Sequence, residues 1–179
     1  GWSGYFPIAH EGGGNMDREL VLDWFEEVLH TDATKIFHNA MYDVSWIRSL
    51  GFQIRGGIID TMIAASLIDE NRFSYTLDSV GKDYIGMRKN EKLLQDAAKD
   101  FGVNPKAEMW RLPAPFVGEY AEKDAEMTLK LWHALQHEIS KQDLWDVFNL
   151  ETNLFPCLVD MKFKGVRVDV QKAMSIKAQ

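Results

Sequence analysis

Two polar side chains, Asn39 and Asp43, stand four residues apart in the stretch "KIFHNAMYDVSWIRSLGF", just after a short apolar run. In a helix that begins near Phe37, both would lie on one face. Asn39 is well suited to cap such a helix, and an acidic residue in the first turn is favoured by the helix dipole. Alternatively, Asp43 faces a cleft and binds a metal ion. The stretch by itself leaves both explanations open.

A second pair, Tyr120 and Asp124, lies on a long amphipathic segment predicted from Phe116 to about Ser140. Asp124 falls in the middle of the face that this spacing assigns to the core, a face that also comprises Val117, Tyr120, Ala121, Thr128, Leu131 and Leu135. A buried carboxylate is costly unless it is paired, hydrogen-bonded or bound to a metal ion. A salt bridge to an Arg or Lys and a metal ion are therefore both candidates.

A third carboxylate, Asp60, follows the apolar dipeptide Ile58–Ile59 at the point where a helix is predicted to begin. Aspartate is among the preferred residues at the first position of a helix. We therefore favour a helix N-cap over a catalytic role for Asp60.

The elements that would position these residues alternate between strands and helices, which predicts an α/β fold with a mixed or parallel sheet. Short strands are predicted at residues 4–9, where Pro7 indicates an edge, at Lys35–Phe37 and at Ile58–Ile59. Helical spacing is predicted at residues 17–29 with Asp17 as N-cap, 39–50, 62–67, 76–84, 90–101, 116–140 and 144–164. The final "KGVRVDV" is predicted to form a turn followed by a β-like alternation.

Composition limits the class of protein but does not decide its function. The chain has 179 residues, of which 46% are hydrophobic, which suits one domain and part of another. No apolar run is long enough to span a membrane, so no membrane association is expected. The single cysteine, Cys157, predicts no internal disulfide and an intracellular setting. A net charge of −7 argues against binding nucleic acid through bulk electrostatics, but not through local contacts and metal ions.

Several motifs, taken in order, resemble the proofreading 3′–5′ exonuclease domain of family A DNA polymerases, which belongs to the tyrosine variant of the DEDD exonucleases. "HNAMYD" is similar to the second exonuclease motif and "YAEKD" to the third. "IIDTMIAASLIDE" and "LDSVGKDYIG" resemble the segments between them, and the region with "KNEKLL" and "MWRLPAPFVGEYAEKD" is most similar to bacteriophage-type members. Each motif is short, but their order and spacing make the resemblance specific.

The resemblance implies a ribonuclease H-like three-layer fold and hydrolysis of the 3′-terminal phosphodiester of single-stranded DNA. In this family four carboxylates hold two divalent ions, Mg²⁺ or Mn²⁺, about 3.5–4 Å apart. It implies that Asp43 and Asp124 are metal ligands and that Tyr120 orients the attacking water. Asn39 would support the helix start or contact the DNA end, and Tyr42 would contact the terminal nucleotide. If the segment after "IG" carries the frayed strand, Arg88 and Lys89 are the candidate DNA contacts.

The first motif of the family, Asp-x-Glu on a central strand, has no counterpart on a strand here. The literal pattern occurs as "DRE" at 17–19 and "DAE" at 124–126, and we treat both as chance. Because "GYFPIA" resembles the third strand of the family, we expect the chain to begin after the first two strands, so that the sheet lacks them. With two of four ligands missing, this chain is expected to be a poor catalyst.

The passage "LFPCLVDMKFKGVRVD" resembles the family's transition into the polymerase domain. We therefore expect an incomplete exonuclease domain at 1–143 and the start of a family A polymerase domain at 144–179. The implied partners are the 3′ end of single-stranded DNA and the polymerase domain of the same parent chain, in the cytoplasm of a bacterium or a phage-infected host cell.

Two other functions remain possible from the sequence. One is a non-catalytic, exonuclease-like scaffold domain of a polymerase. The other is a 3′–5′ exoribonuclease of the RNase D type, which uses the same four-carboxylate site. An intact Asp-x-Glu strand upstream of Gly1 would exclude the scaffold, and a preference for RNA ends would favour the exoribonuclease.

Overall fold

Helices make up most of residues 2–177, which are the residues that the computed structural model describes. In chain order the elements are α1 (Arg18–Leu29), β1 (Lys35–Phe37), α2 (Ala40–Ser49), β2 (Ile58–Asp60), α3 (Thr61–Ile68), α4 (Leu77–Ile85), α5 (Lys92–Phe101), a 3-10 turn (Met109–Arg111), α6 (Pro115–Lys141), α7 (Trp145–Lys164) and α8 (Val170–Lys177). The helices predicted from periodicity all form, with ends shifted by a few residues at most. The outermost residues of the two predicted domains, 1 and 178–179, lie outside the described residues.

The two strands form a parallel pair joined by α2, which is a βαβ unit. Lys35 lies opposite Ile58, and Phe37 lies opposite Asp60. Between residues 2 and 177 this sheet has no third strand, so one edge of β1 remains free. The predicted α/β class is confirmed, and between residues 2 and 177 the sheet is parallel, one of the two arrangements expected.

The strand predicted at residues 4–9 is wrong, because this segment is irregular in the structure. A strand needs a neighbour to receive its backbone hydrogen bonds, and Pro7 lacks the N–H to donate one. The segment is held by side chains instead: the ring of Phe6 packs at 4.5 Å from that of Trp24, and His10 Nδ1 lies 2.7 Å from the carbonyl oxygen of Leu112.

The β-like alternation predicted at the end of the chain is also wrong. Residues 165–169 are irregular and exposed, and α8 begins at Val170. Valines at alternate positions favour a strand only when a partner strand and a core are available to them.

The main core forms around α6, which packs against α3 and α4. Its buried face carries Leu131 and Leu135, as the spacing predicted, together with Met127 and Ile139, which the predicted face did not include. A β-carbon on Gly81 of α4 would lie 2.6 Å from Met127 Cε, so glycine permits this close approach of the two helices. The α6 helix is thereby fixed along its length, and with it the side of α6 that carries Tyr120 and Asp124.

A second group of contacts fixes α2. Ala40 and Val44 on its inner face pack with Phe155 and Val159 of α7. All four side chains are buried. The α2 helix is therefore held along one side by α7, while its first turn faces the end of the sheet.

Among the described residues, no helix is long and apolar enough to cross a membrane.

Candidate functional site

A cleft of about 1000 Å³ opens where the carboxyl ends of β1 and β2 meet α6. This is the end of a parallel sheet at which α/β proteins commonly bind ligands. Most of the side chains singled out from the sequence line it, namely Asn39, Tyr42, Asp43, Lys89 and Asp124. Tyr120 and Arg88 line an adjoining groove of about 840 Å³ that shares Lys89 with the cleft. The structure thus brings together residues that lie up to 85 positions apart in the sequence.

The start of α2 differs from the expected capping by Asn39. Asn39 occupies the N-cap position, but in the described structure its side chain makes no capping hydrogen bond, and its backbone is left-handed, with φ 65°. Asparagine tolerates this conformation better than most residues. Its side chain is exposed at the cleft and free to contact a ligand.

Asp60 supplies the missing cap. Its side chain accepts a hydrogen bond from Met62 N at 2.8 Å, which confirms the predicted N-cap of α3. It also accepts hydrogen bonds from Asn39 N at 2.9 Å and Ala40 N at 2.8 Å. One buried carboxylate therefore caps α2 as well as α3.

Asp43 lies in the first turn of α2 and is half-buried in the wall of the cleft. Burial raises the pKa of its carboxyl, and the negative charge of Asp60 adds to the increase. Because the negative charge of this carboxylate is costly without a counter-charge, a bound cation would stabilise it.

Asp124 on α6 forms an ion pair with Lys89, whose Nζ lies 2.8 Å from Asp124 Oδ2. The same Nζ donates to the hydroxyl of Tyr120 at 3.1 Å and lies 4.8 Å from the centre of its ring. Burial alone would lower the pKa of Lys89, but its hydrogen bonds to Asp124 and Tyr120 raise it overall. The salt bridge considered for Asp124 from the sequence is thus present.

The pairing of Asp124 is incomplete. Its second oxygen, Oδ1, is buried and has no hydrogen-bond partner among residues 2–177. Such an orphan acceptor is unusual in a folded protein, because the free energy of losing water is not recovered. A cation or a water molecule at this position would satisfy it.

His38, directly before the start of α2, is hydrogen-bonded through both ring nitrogens. Its Nε2 lies 2.8 Å from the carbonyl oxygen of Tyr75, and its Nδ1 lies 2.9 Å from Thr61 Oγ1. Burial lowers the pKa of His38. These contacts anchor the end of β1 to the loop before α4.

Sequence reasoning missed two contributors to the site. Lys89 was predicted only as a DNA contact. Its ion pair with Asp124 joins residues 35 positions apart, so no local pattern in the sequence indicates it. Thr61, which is fully buried, was not singled out at all. A polar pair directly after an apolar strand, "IIDT", is the signal that could have drawn attention to it.

Neither literal Asp-x-Glu triplet contributes a further carboxylate to the cleft. Asp17 caps α1 by accepting from Leu20 N at 3.0 Å. Glu126 pairs with Lys123 and Lys130 on the outside of α6. Across the part of the chain that the structure describes, no group of three or more His, Cys, Asp or Glu side chains is arranged to bind a metal ion.

Comparison with known proteins agrees with this geometry. Residues 7–140 match the 3′–5′ exonuclease family of DNA polymerase A. The chain is 38% identical over 180 residues to a DNA-directed DNA polymerase of Pseudomonas phage M6, covering 96% of this chain and 26% of the relative. It is 35% identical over 156 residues to DNA polymerase DpoZ of Acinetobacter phage SH-Ab 15497, covering 84% of this chain and 25% of the relative.

The fold is similar to that of a nuclease solved in its apo form, with a TM-score of 0.63 at 17% identity, over 82% of this chain and 67% of the nuclease. Together with the family match, this likeness agrees with the expected ribonuclease H-like fold. The chain spans about a quarter of the length of the phage polymerases that it matches. On the strength of the match over residues 7–140 and of the phage relatives, the chain belongs to the 3′–5′ exonuclease domain family of family A DNA polymerases.

Proposed function

We propose that this chain is part of the proofreading domain of a DNA-directed DNA polymerase, with the exonuclease at residues 1–143 and the start of the polymerase domain at 144–179. Its reaction is the hydrolysis of the 3′-terminal phosphodiester of single-stranded DNA. The observation that carries the proposal is the convergence of Asp43, Asp124 and Tyr120 at the carboxyl end of the sheet. These are the residues that the second and third exonuclease motifs assign to the reaction.

The donor set suits the divalent ions that this family uses. Carboxylate oxygens are preferred ligands of Mg²⁺ and Mn²⁺, and the buried Oδ1 of Asp124 has no hydrogen-bond partner in the part of the chain that the structure describes. Asp43, whose pKa is raised by burial, gains from a nearby cation in the same way. Bound ions of this kind lower the pKa of a water molecule and stabilise the leaving oxygen.

Residues of the chain itself provide orientation and substrate contacts. The Tyr120 hydroxyl accepts a hydrogen bond from Lys89 at 3.1 Å, and in this proposal it orients a water molecule beside Asp124. Tyr42 is 60% exposed at the cleft and offers its ring to the terminal base. Arg88 lies in the groove beyond Lys89, and both are candidates to contact phosphates of the approaching strand.

We further propose that this chain alone is a weak nuclease, because only two carboxylates among the described residues face the cleft. The test follows shortening of a 5′-labelled single-stranded DNA from its 3′ end in Mn²⁺. It compares the 179-residue chain, a version extended before Gly1 by a strand that carries Asp-x-Glu, and the extended version with Asp124→Ala. We expect only the extended, unsubstituted protein to degrade DNA. Degradation that survives Asp124→Ala would contradict the assignment of the site.

One observation favours a second candidate, a non-catalytic scaffold domain. In the described residues Asp124 already has a counter-ion in Lys89, as a domain without metal ions would require. An inert extended protein would support this alternative. A parallel assay with labelled RNA distinguishes the RNase D type, which would degrade the RNA faster than the DNA.

A further inference from the structure

Two adjacent residues, Asp60 and Thr61, contact each of the four residues that lead from β1 into α2. The Thr61 hydroxyl lies 3.1 Å from the carbonyl oxygen of Phe37 and 2.9 Å from His38 Nδ1. The Asp60 carboxylate accepts hydrogen bonds from the backbone N–H groups of Asn39 and Ala40, the two residues that follow His38. Each of residues 37–40 is therefore held by the last residue of β2 or the first residue of α3.

The arrangement at Asp60 exceeds what a helix cap requires. Asp17, an ordinary cap, accepts one hydrogen bond, from its own helix α1. Asp60 is only 6% exposed and accepts three, two of them from α2 across 20 or more positions in the sequence. Within residues 2–177 it forms no salt bridge, so the backbone N–H groups at the start of two helices stabilise its charge.

The backbone at this point needs such support. Asn39 adopts a left-handed conformation, which costs an ordinary residue about 1–2 kcal/mol. The hydrogen bonds to Asp60 hold this residue and the next in place. Asp43 follows one turn later on the same helix, so the position of its carboxylate depends on how the first turn is held.

We propose that Asp60 is a positioning residue of the site: through residues 39–40 it fixes the first turn of α2 and keeps Asp43 directed into the cleft. The proposal rests on the proposed function, in which Asp43 serves the reaction. Asp60 itself is turned away from substrate by its three backbone hydrogen bonds.

The first test uses Asp60→Asn in the 179-residue chain, with Asp17→Asn as a matched control. The asparagine side chain keeps one oxygen that accepts hydrogen bonds. Its NH₂ group replaces the other oxygen and so faces a backbone N–H group that donates to Asp60 in the parent. We expect amide hydrogen exchange at Asn39 and Ala40 to become at least about tenfold faster, and Asp17→Asn to accelerate exchange only in α1. Unchanged exchange at residues 39–43 would overturn the proposal.

The second test uses the extended, active protein and includes Asp43→Ala as a reference. We expect Asp60→Asn to lower kcat at least tenfold while KM for the DNA stays within about twofold, because the DNA contacts lie on other residues. Raising the Mn²⁺ concentration should restore part of the lost rate, which the loss of folded protein would not allow. Asp17→Asn should keep the kcat of the parent.

The outcomes separate the two proposals. If Asp43→Ala is fully active, the role of Asp43 in the proposed function fails. If Asp43→Ala is inactive while Asp60→Asn keeps its kcat, the positioning role alone fails. If Asp60→Asn does not fold, Asp60→Ser replaces it, since serine still caps α3 but its single oxygen does not also reach the N–H groups of Asn39 and Ala40. A kcat for Asp60→Ser equal to that of the parent would then overturn the proposal.

Discussion

Lys89 Nζ lies 2.8 Å from Asp124 Oδ2, and both side chains are largely removed from solvent. The lysine lies in the loop between α4 and α5, so the ion pair ties this loop to the middle of α6. It neutralises one oxygen of Asp124, while the other, Oδ1, has no hydrogen-bond partner within the described residues. The candidate site thus contains a cation supplied by the protein itself.

Replacing Lys89 with methionine should reduce the free energy of unfolding by about 1–3 kcal/mol, because it leaves a desolvated carboxylate without any partner. Lys92→Met is the matched control, since Lys92 is exposed and the change in charge is the same; it should change stability by less than about 0.5 kcal/mol. Urea unfolding measures both. The double variant with Asp124→Asn should recover most of the loss, and equal effects of the two lysine substitutions would contradict the pairing.

Asp43→Asn should raise stability at neutral pH although it removes a residue of the candidate site. Burial raises the pKa of Asp43, so the unfolded chain releases this proton at a lower pH than the folded chain. Stability linked to Asp43 is therefore present at low pH and is lost as the pH rises through the folded pKa. Asp146→Asn, at an exposed acid in the first turn of α7, should instead lower stability slightly by removing a favourable dipole interaction. Thermal unfolding at pH 7 without metal ions compares the two.

The left-handed backbone at Asn39 predicts different outcomes for two small substitutions. Asn39→Gly should keep the stability of the parent within about 0.5 kcal/mol, because glycine adopts this conformation freely. Asn39→Ala should lose about 1–2 kcal/mol. Asp143 also has a left-handed backbone, with φ 56°, so Asp143→Gly should be more stable than Asp143→Ala. An alanine variant at position 39 as stable as the glycine variant would show that the backbone imposes no such demand.

Stability should fall with acidification in part because of His38. Burial lowers the pKa of His38, and the positive charge of Lys89 lowers it further. Together these effects outweigh the negative charges of Asp60 and Asp124, which raise the pKa. The unfolded chain takes up a proton near pH 6.5, whereas the folded chain does so only at lower pH. The contribution of neutral His38 is therefore complete above about pH 6.5 and is lost as the pH falls through the folded pKa. In urea unfolding between pH 7.5 and 5.5, His38→Gln should reduce this pH dependence, and His133→Gln, at an exposed position, should not.

The predictable parts of the fold were those encoded locally. Periodic apolar residues indicated α6 and its buried face, and the caps at Asp17 and Asp60 followed from residue type at a helix start. The strand at residues 4–9 was wrong because a strand depends on partners elsewhere in the chain, which no local pattern reveals. For the same reason, the contacts of Lys89 and Thr61 were not predicted, because their partners lie 35 and 24 positions away.

The free edge of β1 bears on how this chain behaves in concentrated solution. Lys35 N–H and Phe37 C=O are bonded on the side of β2, to Gly57 O and Thr61 Oγ1. Ile36 therefore supplies the backbone donor and acceptor on the side away from β2, and such an edge is a template for strands of other copies. A charged side chain can protect an edge, but Lys35 Nζ is drawn toward the carbonyl oxygen of Arg55, 2.8 Å away. We therefore expect association of copies through strand pairing to increase with protein concentration. A strand that occupies this edge should keep the protein monomeric.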